Sequence, residues 1–316
     1  MENETVKGTS LWKDAWKRLK KNKLSVFGLY TVVAIALLVF FGPIILSYGF
    51  GITPDQMPGN SDLLRSMPPS MKHWMGTDDS GRDILARVLQ GGRISLMVGL
   101  ISTFVSLIVG VSYGAIAGYF GGRIDSVMMR IVDAIYSIPY ILIVIVLLKV
   151  FEGKNTPEFI KSISNAFGGG EALNQIFLLF LALGLVSWLT MARVVRGQIL
   201  SLKNQEFVLA AKATGVSTSG IIFRHLVPNV FGPVIVYATL TIPSVMLTEA
   251  FLSYLGIGVQ APYASWGSMA ADGIKNISIF PWQLIFPSVT MALTLFSLNF
   301  LGDGLRDALD PQTRKF

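Results

Sequence analysis

Leu24-Ser25-Val26-Phe27-Gly28-Leu29-Tyr30-Thr31-Val32-Val33-Ala34-Ile35-Ala36-Leu37-Leu38-Val39-Phe40-Phe41-Gly42-Pro43-Ile44-Ile45-Leu46-Ser47 is a stretch without a single charge. A helix crosses the hydrocarbon core of a bilayer in about 20 such residues. The run is longer than the roughly 7–15 apolar residues of a secretory signal, and no small-x-small cleavage site follows it. It reads as an uncleaved anchor.

Working outward, five further windows have the same character: Ile94–Phe120, Ile131–Phe151, Gln175–Met191, Val230–Leu255 and Gln283–Leu301. The Gln175–Met191 window is the shortest. The whole chain agrees with its windows. Of 316 residues 52% are hydrophobic and 14% charged, against about 25% charged in soluble chains, and the mean hydropathy is +0.58. These values argue against a disordered chain, a soluble domain and a nucleic-acid binder, although the net charge is +7. The fold expected is an all-α, six-transmembrane-helix bundle in a cell membrane.

Charge placement orients it. Lys and Arg accumulate on cytoplasmic segments. With the N-terminal tail inside, 17 of the 26 fall on the tail, Gly121–Arg130, Ala192–Asn229 and the C-terminus. Both termini are therefore expected in the cytoplasm. The layout is a basic tail 1–23, a first span 24–47, an extracytoplasmic loop 48–93 with an interfacial helix at Ile84–Gln90, and a five-helix core 94–303. That core contains the cytoplasmic loop 192–229, and a tail 304–316 follows. In the N-terminal tail, Leu11, Trp12, Trp16 and Leu19 alternate with Lys as in a basic amphipathic helix.

Within the spans, Ser106, Gly110, Gly114 and Gly118 recur at four-residue intervals, the pattern of close helix packing. Pro139 interrupts the third window, and Pro233 and Pro243 the fifth. Broken helices in a membrane need protein or a water-filled cavity to satisfy the freed carbonyls. Glu249, near the outer end of the fifth window, is a carboxylate at or near membrane depth. Pro139, Pro243 and Glu249 are the candidates for a pathway or gate. Asp78, Asp79 and Asp83 read as a turn and helix cap before a cation site. Trp266 and Trp282 read as aromatic-belt anchors, and Asp133 and Asp303 as anchors near cytoplasmic ends.

Catalytic chemistry is missing from the pattern. There is no Cys and only two His. There is no P-loop, since Gly153-Lys154 is followed by Asn155. No His-Glu-x-x-His or Gly-x-Ser-x-Gly occurs. No metal or cofactor site is expected, and the chain is expected not to be an enzyme.

The most informative loop is Glu206-Phe207-Val208-Leu209-Ala210-Ala211-Lys212-Ala213-Thr214-Gly215, continuing to His225-Leu226-Val227-Pro228-Asn229. Residues 206–213 favour a helix, and Gly215 suits its left-handed stop. Ser217 or Thr218 is placed to cap a second short helix through Phe223, and Pro228 marks entry to the fifth span. Phe207 and Ala211, four apart, are expected to share a face turned toward a partner.

This loop resembles the Glu-Ala-Ala loop of binding-protein-dependent ABC importer permeases. Ala210, Ala211, Gly215 and Pro228 match at the family's spacing. Leu209 stands at the position of its Glu, with Glu206 one turn earlier, and His225 and Val227 replace its Ile and Leu. Gly76-Thr77-Asp78-Asp79-Ser80-Gly81-Arg82-Asp83 is similar to the dipeptide/oligopeptide subfamily, C-type. So are Glu249–Gln260 with Ser265-Trp266-Gly267, and Asn299–Pro311. The resemblance implies a non-catalytic permease subunit of an ATP-driven peptide importer, forming half of a pathway that works by alternating access. Its implied partners are a second, homologous permease, two ATP-binding subunits that carry ATP and Mg, and an extracytoplasmic solute-binding protein. Glu206, Phe207, Ala210, Ala211, Gly215 and Pro228 would couple to the ATPase. A permease for nickel or another small solute shares these motifs. From the residues alone, an ion-coupled secondary transporter or channel is the competing class, though the span cores carry almost no charge.

Overall fold

A computed structural model describes residues 11–54 and 65–309. Its helices are α1 (Leu11–Lys21), α2 (Lys23–Phe50), α3 (Ile84–Phe120), α4 (Gly122–Tyr136), α5 (Tyr140–Val150), α6 (Glu158–Ala166), α7 (Glu171–Leu202), α8 (Glu206–Ala213), α9 (Thr218–Gly220), α10 (Val227–Asn229), α11 (Phe231–Tyr254), α12 (Trp266–Lys275) and α13 (Trp282–Leu309). A π-helical turn, Ile221–Leu226, joins α9 to α10. Among the described residues there is no strand beyond an isolated bridge between Thr77 and Asp83.

Five helices, α2, α3, α7, α11 and α13, are long and apolar enough to cross a membrane, or six if α4 and α5 count as one. That pair bends by 84° at its break. Pro139 is the cause. It has no N–H to give the helix and drives the residue before it out of the helical region, so it ends up as the N-cap of α5.

The helix at the centre is α7. In its apolar window 61% of residues are buried, against 28% in α2 and 22% in α13, which lie at the periphery. Next to α7 runs α3, and the small-residue stripe is the reason they fit. A Cβ on Gly110 would meet Met191, one on Gly114 the Ala192 carbonyl, and one on Gly118 the Arg196 carbonyl and Ile199. Ser102 donates to the Phe180 carbonyl at 2.8 Å. Residue numbers rise together along both helices, so α3 and α7 are parallel. The chain between them must return from one end of the bundle to the other. It does so antiparallel to α7: Asp125 pairs with Arg196, Asp133 with Arg193 at 2.7 Å, and Glu152 with Gln175 at 3.0 Å.

The remaining contacts alternate in the same way. Arg93 of α3 donates to the Val39 and Phe40 carbonyls of α2. In α3, Gly99 abuts Ile242 and Met246 of α11, while Gly28 of α2 abuts the Ser297 carbonyl of α13. At one end, Ala15 and Leu19 of α1 are buried with Ala308 against Leu301, Leu305 and Leu309 of α13. The expected amphipathic tail helix therefore exists, with Trp16 half exposed, and it packs on the end of the last helix. The beginning of α1 and the end of α13 thus share an end of the molecule.

Several expectations are corrected. Ile84–Gln90 is not a separate interfacial helix but the first two turns of α3. Within those turns Arg87 is buried and bonded to Asp78 at 2.5 Å. Pro233 sits in the first turn of α11, where a proline is tolerated, and does not interrupt it. Trp266 is no belt anchor. It is wholly buried, donating from its indole to the Val88 carbonyl at 2.8 Å and from its backbone to Ser95 at 3.0 Å. The expected tail segments 1–10 and 310–316 and loop residues 55–64 lie outside the described residues.

Candidate functional site

Two features of this bundle bear on the candidate site: a hairpin at the end shared by α1 and the close of α13, and a cleft near the middle of the helices.

The hairpin is α8 through α10. Gly215 takes φ +75°, its N–H meeting the Lys212 carbonyl while the Val216 N–H meets Ala211, both at 3.1 Å. This pair of bonds is a Schellman stop, which satisfies the last carbonyls of a helix and needs a left-handed residue. The Ser217 hydroxyl then accepts from the Gly220 N–H at 3.2 Å and caps α9. Pro228 cannot donate to the Arg224 carbonyl, and its ring crowds that position. The chain upstream widens into the π turn, closed by the Val227 N–H on the Ile222 carbonyl.

Val208, Ala211, Ile221, Ile222 and Leu226 are buried against Ala115 of α3 and Val195 and Ile199 of α7. Lys203 donates to the Gly118 carbonyl at 3.1 Å. The hairpin is thus a rigid extension of the α3–α7 pair. Glu206, Phe207, Leu209, Ala210 and Gly215 face outward. Ala211 does not share the outer face of Phe207 as the four-residue spacing implied. It turns inward with Val208, because the helix lies on its own protein core and that core takes the i,i+3 pair.

The cleft, about 660 Å³, opens where α4 and α5 part. Tyr136, Ser137, Pro139 and Tyr140 line it from that break; Ser187 and Thr190 from α7; Tyr237, Thr241, Ser244 and Thr248 from α11. The Tyr136 hydroxyl bonds Thr190, and Arg193 stacks over the Tyr136 ring at 4.1 Å while pairing with Asp133.

Of the three pathway candidates, only Pro139 reaches this cleft. Pro243 is buried inside α11. Glu249 is wholly buried beneath α12. Its Oε1 accepts from the hydroxyls of Ser253 and Ser265, both at 2.6 Å, and Ser265 caps α12 by accepting from the Ser268 N–H. The acidic cluster makes a turn and a cap. Asp83 accepts from the Ala86 N–H at 2.9 Å at the start of α3, and Asp78 holds Arg82 and Arg87. No group of three or more His, Cys, Asp or Glu among the described residues is placed to hold a metal ion. Sequence reasoning missed the cleft hydroxyls. Their signal was there in the fifth window, where Tyr237, Thr241, Ser244 and Thr248 are spaced by four, three and four, one helical face.

Residues 110–315 match the model of the binding-protein-dependent transport system inner membrane component. The chain belongs to that family. Residues 10–69 match the N-terminal transmembrane domain of oligopeptide transport permease C. The oligopeptide transport system permease protein OppC of Escherichia coli (strain K12) is 47% identical, covering 99% of this chain and 95% of that protein. The OppC of Bacillus subtilis (strain 168) is 44% identical over 99% and 94%, and the dipeptide transport system permease protein DppC of the same organism 43% over 99% and 90%. Among solved structures, one chain of the MetNI methionine ABC transporter in inward-facing conformations superposes with a TM-score of 0.50, at 16% identity, over 71% of this chain and 96% of that one. This permease family member is thus a multi-pass membrane protein of transporter fold.

Proposed function

We propose that this permease is the C-type subunit of an ATP-driven importer of dipeptides or oligopeptides, crossing the membrane six times with both termini in the cytoplasm. A second, homologous permease completes the pathway, two ATP-binding subunits supply ATP and Mg, and an extracytoplasmic binding protein delivers the peptide. The supporting observation is the hairpin: an apolar outer face of Phe207, Leu209 and Ala210 beside Glu206, on a body locked to α3 and α7. A lever must be stiff at its attachment and open at its contact. ATP-driven closure of the ATPase pair moves the hairpin, and α3 and α7 move with it as one body, rocking the permeases between inward- and outward-facing states. Gly215 and Pro228 act as the fixed turns of that lever.

The crossing count rests on direction. With α3 parallel to α7 and α4–α5 running back between their ends, the bent pair is one crossing. The peptide class rests on the relatives, which are named for oligopeptides and dipeptides over nearly their full lengths.

The test is Gly215→Asp beside Gly215→Ala in the assembled importer. A Cβ at 215 meets open space, so both variants carry only the left-handed strain, about 1 kcal/mol. Gly215→Asp is expected to insert normally and to abolish peptide uptake and binding-protein-stimulated ATP hydrolysis, with Gly215→Ala retaining most of both. Undiminished uptake by Gly215→Asp, or ATP-independent uptake by this chain alone in vesicles, overturns the reading.

A further inference from the structure

The cleft at the α4–α5 break lies at the middle of three helices. Ser187 is near the midpoint of α7, Ser244 near that of α11, and Pro139 near that of the bent pair. Concave polar surface at this depth is costly against lipid and belongs against protein or a water-filled cavity. Its polarity has a definite character. No Asp, Glu, Lys or Arg lines it. Four of its hydroxyls give their hydrogens to carbonyls of their own segments: Ser137 to Ala134 at 2.7 Å, Ser187 to Leu183 and Thr241 to Tyr237 at 2.8 Å, and Thr248 to Ser244 at 2.9 Å. A hydroxyl has one hydrogen to donate and two lone pairs to accept. With the hydrogens committed, the Tyr140 hydroxyl stands in hydrogen-bond contact with Ser187 and Thr248 and the Tyr237 hydroxyl with Thr241, and with two lone pairs on each oxygen the wall keeps an array of acceptors without charge.

We infer that this cleft is the chain's half of the peptide pathway, and that Ser137, Ser187, Thr241 and Thr248 accept hydrogen bonds from main-chain N–H groups of the passing peptide. Such groups are common to every peptide, and a wall without charge neither selects nor traps a particular side chain. The inference rests on the importer reading. It adds to it the lining residues and the part of the substrate they read.

The experiment uses the full importer in proteoliposomes with its binding protein, and follows Ala-Asp-Ala and Ala-Lys-Ala uptake. Ser244→Asp places one negative charge on an exposed position of the cleft wall. Uptake of the acidic peptide is expected to fall on the order of tenfold more than that of the basic one, because a like charge within a few ångströms in a partly dehydrated site costs that much or more. Ser244→Lys is expected to reverse the preference. Thr248→Val keeps the side-chain shape and removes the acceptor, and is expected to raise the transport KM several-fold for both peptides. Equal effects of Ser244→Asp on the two peptides overturn the inference, as does an unaltered KM in Thr248→Val, which carries the test if the aspartate variant does not insert. If those results come with uptake still abolished by Gly215→Asp, the importer reading stands and only the cleft assignment falls.

Discussion

At Glu249 a single carboxylate oxygen joins three segments. Through Ser253 it reaches the loop after α11, because the Val259 N–H donates to that hydroxyl at 3.3 Å. Through Ser265 it reaches the cap of α12. A buried polar group with its partners removed costs about 1–3 kcal/mol each, and truncation here strips two hydroxyls of their acceptor and leaves a cavity. Glu249→Ala is expected to lower the thermal unfolding temperature in detergent by several degrees. Ser265→Ala should lower it less, and the double variant should fall short of the sum, since both remove the same bond. Additive losses would show that the two residues act separately. The sequence marked Glu249 as the conspicuous charge of its span. It did not reveal the surroundings, because the partner Ser265 lies beyond the end of α11, across a turn whose path no local pattern encodes. The Gly215 stop was legible for the opposite reason: everything that makes it is close by in the chain.

Among the helices, glycine carried two different messages. The stripe Gly110, Gly114, Gly118 announced a packing face, and its four-residue period was enough to identify it without the partner. Gly91 and Gly92 fall between the expected interfacial helix, Ile84–Gln90, and the expected span from Ile94. They lie inside one continuous helix, where a Cβ would meet the Ala264 carbonyl at 3.2 Å or the Trp266 ring at 2.6 Å. Paired glycines mark a boundary or a close approach equally well, and only the long-range contact with Trp266 decides. The hydrophobic windows located all the long helices because sustained apolarity is a local property. The sharp bend between α4 and α5 needed Pro139, which was visible, and the packing around it, which was not. A prediction at this scale compares two glycines. Gly114→Leu forces the side chain into the Ala192 backbone of α7, and overpacking of that kind costs about 1–3 kcal/mol or more. Gly197→Leu points into open space. The first is expected to reduce the folded protein recovered from membranes several-fold and the second to leave it unchanged, measured by size-exclusion of detergent extracts. Equal recovery would mean that α3 and α7 do not pack along the glycine stripe.

For the whole molecule the direction of each helix decides the topology. The pairings of Asp125 with Arg196 and of Glu152 with Gln175 fall toward opposite ends of α7. At a helical rise of about 1.5 Å per residue, the stretch from Gln175 to Arg196 is about 31 Å long, the thickness of a bilayer core. A re-entrant α4–α5 would bring Lys154 back to the end it left, and α7 would then have to run antiparallel to α3, which the offset of their contacts excludes. The absence of cysteine makes this measurable, since any thiol introduced is the chain's only one. Met71→Cys and Lys154→Cys, at positions before α3 and after α5, are expected to react with a membrane-impermeant maleimide in intact cells. Lys21→Cys and Ala213→Cys are expected to react only after permeabilisation. All four positions lie on the described surface, and none belongs to the cleft. Lys154→Cys grouping with Lys21→Cys would make the bent pair a re-entrant loop and reduce the crossings to five. With those directions α7 would then run antiparallel to α3 and the hairpin would lie at the end opposite α1, so that result would also overturn the parallel packing of α3 on α7. Lys21→Cys and Ala213→Cys falling on opposite sides would break the packing of the bundle itself, and with it the argument that one end of the molecule carries the docking lever.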